Sequence, residues 1–200
     1  SGLNVAYSEE CQQRDSWITG ALAYYRPDVV VAAGGLWDVT DRKPPGFARW
    51  THIGDPAYDA YLAGELRHVA DLVQSAGASL VWLNTPHWDP VYTPSNFMGR
   101  PPYAEADPAR ADRFNELLAQ TLAGRPKTQL LDLAGFLRSL PGGELAPDVR
   151  ADGVHLTTSS TDVVAMWLLP QVIETGQAAP VDPTGSSAPA AGDAMLPGGG

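Results

Sequence analysis

The 200-residue chain carries 23 acidic against 13 basic side chains, a net charge of −10, and 44% apolar residues that include six Trp and seven Tyr. That composition supports one packed domain and excludes a wholly disordered chain, while the acid excess without any Lys/Arg cluster argues against a nucleic-acid-binding surface. No apolar run reaches the length of a membrane-spanning helix, and one Cys with four scattered His lacks metal-ligand spacing.

Taken in order, Ser1-Gly2-Leu3 reads as a cut within a longer polypeptide, and Cys11 reads either as an ordinary free thiol or as half of a disulfide with an upstream partner. Asn4 to Tyr7 is a short strand. Cys11 to Tyr25 is a helix with Trp17, Ile18, Ala21 and Leu22 on its inward face, stopped by Arg26-Pro27. Asp28 to Ala33 is a continuous β-branched run ended by Gly34-Gly35, the pattern of a fully buried strand in a parallel sheet. A long loop from Leu36 to about Asp55 leads to an amphipathic helix, Tyr58 to Ser75, with Tyr61, Leu62, Leu66, Val69, Ala70 and Val73 inward and Gly77 as its stop.

Ser79 to Asn84 is the next buried strand. Thr85 to Asp107, rich in Pro, Tyr and Trp, is too long for a plain connection and is expected to serve function. Pro108 to Ala123 is a helix with Phe114, Leu117, Leu118 and Leu122 inward, Thr128 to Leu133 a third strand, and Gly135 to Leu140 a helical turn. The last helix is expected to start at a Ser159 or Ser160 cap and run to about Glu174, with Val163, Val164, Met166, Trp167 and Leu168 against the sheet. Residues 176–200 are Ala, Pro, Gly and Ser and are expected to form a disordered tail behind a domain spanning 1–175.

Strands alternating with helices predict an α/β fold, a three-layer α/β/α sandwich around a doubly wound parallel sheet of the flavodoxin-like kind. Sites in such sheets gather at the carboxyl ends of the strands, which here carry three loops: Gly34 to Asp41, Thr85 to Asp89, and the turn of Asp152 and His155. That turn, Asp152-Gly153-Val154-His155, carries the most specific chemistry. An imidazole works as a general base when its tautomer is fixed, and an Asp that accepts the Nδ1 proton both fixes it and stabilises the imidazolium formed on proton uptake.

Pro27-Asp28-Val29-Val30-Val31, then Gly35-Leu36-Trp37-Asp38-Val39, and finally Asp152-Gly153-Val154-His155-Leu156-Thr157 before a terminal helix, resemble SGNH (GDSL-like) hydrolases. The nearest variety is the extracytoplasmic SGNH domain fused to acyltransferase-3 membrane proteins, and the likeness covers roughly residues 1–175. The resemblance implies an α/β/α fold, no metal or organic cofactor, and O-acyl transfer or ester hydrolysis on cell-envelope carbohydrate. It makes Asp152 and His155 the triad acid and base. It further implies an extracytoplasmic location, tethered through an upstream membrane acyltransferase domain of the same polypeptide, with an acylated carbohydrate as substrate and no nucleic acid as partner.

Two blocks of the family pattern are altered. The Gly-Asp-Ser that carries the nucleophile is absent; Asp15-Ser16 is the nearest match, but Arg14 precedes it and helix surrounds it. The third block, which usually supplies an Asn to the oxyanion hole, reads Gly35, Trp37 and Asp38 here. An ionised Asp cannot donate to an oxyanion, whereas a backbone N–H of that turn can, with Asp38 instead accepting hydrogen bonds that hold the loop. In a sheet ordered 2-1-3-4-5, a chain that begins at the second strand lacks the one between the second and third, leaving unpaired backbone across a gap. The expectation is therefore an N-terminally incomplete domain whose nucleophilic Ser lies upstream.

Candidate substrate-binding groups are Gly35, Trp37, Asp38, His87 and Trp88, with Asp89 beside them. Each has a plainer role: His155 as a helix-entry residue bonded to Asp152, Trp37 and Asp38 as loop builders, His87 and Trp88 as cover for the core, His52 and His68 as surface residues. Two alternatives to the esterase stand beside it. One is a non-catalytic carbohydrate-binding or partner-docking domain, and the other a metal-assisted hydrolase using Asp38, His87, Asp89 and His155.

Overall fold

The computed structural model describes residues 4–6, 13–94 and 100–178; Cys11 and the tail beyond residue 178 lie outside them. The fold is α/β, a three-stranded parallel sheet flanked by helices. Strand β1 (Asn4–Ala6) leads to helix α1 (Arg14–Tyr25), strand β2 (Val29–Ala33), a one-turn helix α2 (Leu36–Val39) and strand β3 (Asp41–Lys43). Then come α3 (Pro56–Ser75), β4 (Ser79–Leu83), α4 (Pro108–Leu122), β5 (Thr128–Leu131), α5 (Leu133–Ser139) and α6 (Thr158–Ala178).

The sheet runs β2-β4-β5, with Val29 to Ala33 paired residue for residue with Ser79 to Leu83, and Leu80 to Leu83 with Thr128 to Leu131. Strand β4 is central and buried along its whole length. Its side chains alternate: Leu80 and Trp82 join the main core with Leu62, Leu66, Phe114 and Leu118 of α3 and α4, while Val81 and Leu83 meet Trp167 and Leu168 of α6. Helices α3 and α4 start where an Asp caps them; the Asp55 and Asp107 carboxylates accept the N–H of Ala57 and Ala109, and a proline follows each cap.

Four expectations are corrected. Among the described residues no two strands face one another across a gap, because β2 pairs directly with β4, while β1 pairs apart from that sheet with β3, Asn4 to Ala6 against Asp41 to Lys43. Strand β2, read as fully buried, is the edge of the sheet, and Val31 is 42% exposed. Helix α1 buries only Leu22 among its predicted inward face; Trp17 is exposed, as are Tyr24 and Tyr25. Helix α6 starts behind Thr157, whose hydroxyl accepts the Ser160 N–H, and runs to Ala178. On α6, Val164 packs inward as expected but Met166 points to solvent, together with Leu169 and Ile173. Among the described residues the outer edge of β2 has no strand partner, and Val31, Trp17, Met166, Leu169 and Ile173 are left exposed.

Candidate active site at the carboxyl end of the sheet

Strand β2 ends in Ala33-Gly34-Gly35, and both glycines are demanded by packing. A Cβ on Gly34 would sit 2.7 Å from the Phe114 ring, and one on Gly35 would sit 2.6 Å from the Thr85 hydroxyl and 2.7 Å from the Trp88 ring. The chain then closes the single turn α2. Asp38 N–H donates to the Gly35 carbonyl at 2.9 Å, and the Asp38 carboxylate accepts the Gly35 N–H at 3.0 Å. Burial pushes the Asp38 carboxyl above its ordinary value, against the Gly35 hydrogen bond and the charges of Arg42 and Arg14, which pull it down. Trp37, on the outer side of the same turn, is 48% exposed.

Across the cleft stands the Asp152 turn. Asp152 Oδ1 accepts the N–H groups of Val154 at 2.9 Å and His155 at 2.7 Å, which builds the turn, and Oδ2 accepts from His155 Nδ1 at 2.7 Å. Because a carboxylate only accepts, Nδ1 carries the proton and Nε2 presents a lone pair. Burial alone would raise the Asp152 carboxyl, but the hydrogen bonds from the His155 ring and from the His155 and Val154 backbones outweigh it and hold it at about 2. The ring is open to solvent, with 82% of its side chain exposed, and Nε2 has no hydrogen-bond partner among the described residues.

A strap from Thr85 to Val91 locks the turn in place. Val91 N–H donates to the Asp152 carbonyl at 2.9 Å and Asp89 N–H to the Gly153 carbonyl at 3.2 Å. Gly153, at φ +74°, passes so close beneath the Asp89 carbonyl that no side chain fits. Arg150, fully buried, ties strap and turn together from below: Nε donates to the Glu144 carbonyl at 2.8 Å, Nη2 to the His87 carbonyl at 2.5 Å, and the guanidinium lies 5.3 Å from the Trp88 ring centre.

These segments enclose a cleft of about 660 Å³. Of the residues singled out in the sequence, Gly35, Trp37, Asp38, Trp88, Asp152 and His155 line it together. His87 does not; its ring is drawn away between Asp112, 2.9 Å from Nε2, and buried Glu144, 2.8 Å from Nδ1. The set Asp38, His87, Asp89 and His155 is therefore not assembled, and no group of three His, Cys, Asp or Glu among the described residues is placed to hold a metal ion. Ser16 is exposed on α1, and its neighbour Asp15 is engaged by Arg14 and His68. Among the described residues no serine lines the cleft; the hydroxyl that does belongs to Thr93.

Sequence reasoning missed Pro90, Val91, Thr93 and Val154 as cleft lining, and the Glu144-Arg150 support beneath it. The one signal for Arg150 was its position two residues before Asp152. Chemically, the cleft offers an oriented imidazole lone pair, a carboxyl raised by burial on the opposite wall, and apolar walls from Trp37, Trp88 and Val91. No protein-family model matches this chain, and no curated protein is significantly similar to it.

Proposed function

We propose that this domain supplies the base and acid of a hydrolytic triad acting on acyl esters in the manner of SGNH hydrolases, with acylated cell-envelope carbohydrate as substrate. The observation that carries this reading is the Asp152-His155 pair: carboxylate on Nδ1 at 2.7 Å, and Nε2 unbonded among the described residues in a ring that lines the cleft. The nucleophilic Ser arrives on a segment that precedes Ser1 in the complete polypeptide and adds a strand to the open edge of β2. Two features favour that edge. Strand β2 runs directly into the cleft through Ala33-Gly34-Gly35, and uncovered apolar groups on β2, α1 and α6 leave room for another strand and its cover. With that strand the fold becomes the three-layer, doubly wound sandwich of the flavodoxin-like kind.

In the reaction, the Ser oxygen attacks the acyl carbon while His155 Nε2 takes its proton, and the carbonyl π pair moves onto oxygen. Collapse of the tetrahedral intermediate breaks the bond to the sugar oxygen, which takes that proton from His155 and leaves as a hydroxyl. Water or a second sugar hydroxyl then releases the acyl group by the same route, giving hydrolysis or O-acyl transfer. No cofactor enters any step. The reading places the domain outside the cytoplasm, held by a preceding membrane acyltransferase domain.

Labelling by a fluorophosphonate and turnover of aryl esters test the assignment in the complete polypeptide. His155→Ala should abolish both, and Asp152→Asn should cost about 10³–10⁴-fold in turnover by comparison with other triads. Near-normal rates in either variant refute the pair, and normal turnover by residues 1–200 alone refutes a nucleophile from outside. The absence of a serine from the described cleft favours a second reading, a carbohydrate-binding domain without catalysis; a complete polypeptide that binds substrate but takes no label would establish it.

A further inference from the structure

Three of the backbone donors in the turn that the sequence offered for an oxyanion are already in use. The Gly35 N–H points back onto Asp38 Oδ2, and the Asp38 and Val39 N–H groups both point onto the Gly35 carbonyl. This wall of the cleft also presents the Asp38 side chain itself. Its Oδ2 is anchored by Gly35, its Oδ1 makes no hydrogen bond among the described residues, and the group lines the cleft that holds His155.

We infer that Asp38 works as a neutral carboxylic acid, with Oδ2 accepting from Gly35 and the Oδ1 hydroxyl donating a hydrogen bond to the oxygen of the substrate's acyl carbonyl as negative charge develops there. This deepens the esterase reading and rests on it. A carboxyl can play this part only while protonated, since the ionised form has acceptors alone. Its surroundings favour that state. The side chain lies against the Gly34-Gly35 turn, whose backbone N–H it accepts, and its burial there raises its proton affinity. A second carboxylate, Asp152, faces the same cleft and is held ionised by His155, so a charged Asp38 would add like charge to one enclosed space.

The opposing influences are the guanidinium groups of Arg42 on β3 and Arg14 on α1, and the Gly35 N–H itself; all three favour ionisation and are outweighed by burial. The Tyr58 hydroxyl donates to the Asp38 backbone carbonyl rather than to the carboxyl, so it fixes the residue without charging it. No electron pair or proton is lost from Asp38 during turnover. It polarises the carbonyl, and the proton that moves is the one carried by His155.

Two measurements separate this inference from the reading beneath it. In residues 1–200, ¹³C-detected titration of the side-chain carboxyls, with the Asp38 signal assigned by its loss in Asp38→Asn, should show Asp38 releasing its proton above the ordinary carboxyl range while Asp152 releases its own below it. Release at or below the ordinary range overturns the inference whether or not the protein is an esterase. In the complete polypeptide, ester turnover by the wild type should fall on the alkaline side as Asp38 ionises. Asp38→Asn, whose amide can both accept from Gly35 and donate into the cleft, should keep turnover within about tenfold and lose that alkaline fall. Asp38→Ala should lose about 10²–10³-fold in kcat, the usual cost of one oxyanion donor. An active wild type with unimpaired Asp38→Ala, or an alkaline fall retained in Asp38→Asn, refutes the role of Asp38 and leaves the triad standing. A complete polypeptide with no turnover at all refutes the esterase reading instead.

Discussion

Gly153→Ala offers the sharpest test of how the candidate site is held. A Cβ at this position would lie 2.5 Å from the Asp89 carbonyl carbon and closer still to its oxygen, and the residue keeps a φ of +74° that an L side chain resists. Left-handed backbone costs an alanine about 1–2 kcal/mol. Expelling the strap forfeits the hydrogen bonds from Val91 to Asp152 and from Asp89 to Gly153, about 1 kcal/mol each. The expected loss is about 3–4 kcal/mol, which in a domain of this size lowers Tm by roughly 6–15 °C. Thermal melting followed by circular dichroism measures the global effect, and amide exchange at Val91 measures the local one. If Tm moves by less than about 2 °C and the Val91 amide stays protected, the strap does not rest on the Asp152 turn as described.

Three further outcomes are expected. Asp152 loses its proton more readily folded than unfolded, so its contribution is present above the ordinary value of 3.8 and vanishes as pH falls toward about 2. Because over half of the side chain is exposed, that contribution is no more than about 1 kcal/mol, and urea unfolding of wild type and Asp152→Asn should converge at low pH; a difference that grows on acidification contradicts the geometry. Arg150→Met removes the donors to the Glu144 and His87 carbonyls and takes from the buried Glu144 carboxylate one of its cationic neighbours, 4.0 Å away. Urea unfolding should register a loss of about 3 kcal/mol, and one below about 1 kcal/mol would show that the strap needs no such tie. Val31→Lys should change the stability of residues 1–200 by less than about 0.5 kcal/mol, since the side chain meets solvent at an open edge. In the complete polypeptide the same change should lower Tm sharply, because the added strand and its cover would bury the ammonium; equal effects in both would refute strand addition at β2.

Much of the local structure could be read directly from the chain because it is written in short-range patterns. The α3 and α4 faces follow from apolar spacing, the stop of α1 from Arg26-Pro27, and β4 from an unbroken apolar run. The pairing of Asp152 with His155 belongs to the same class, since three residues of turn suffice to close it.

Pairing and burial between distant segments depend on what lies alongside, which no local pattern records. The run Val29 to Ala33 has the composition of an interior strand, yet it is an edge because sheet position is set by its neighbours, and among the described residues only β4 pairs with it. Asn4 to Tyr7 reads as a short strand, but nothing local says that Asn4 to Ala6 pairs with Asp41 to Lys43. His87 and Trp88 are adjacent in sequence, but alternate directions along an extended strap send the ring of one to Asp112 and Glu144 and the other into the cleft. Whether Asp38 carries a charge is likewise decided by the packing around Gly34 and Gly35 rather than by its identity, because desolvation is a property of the finished fold.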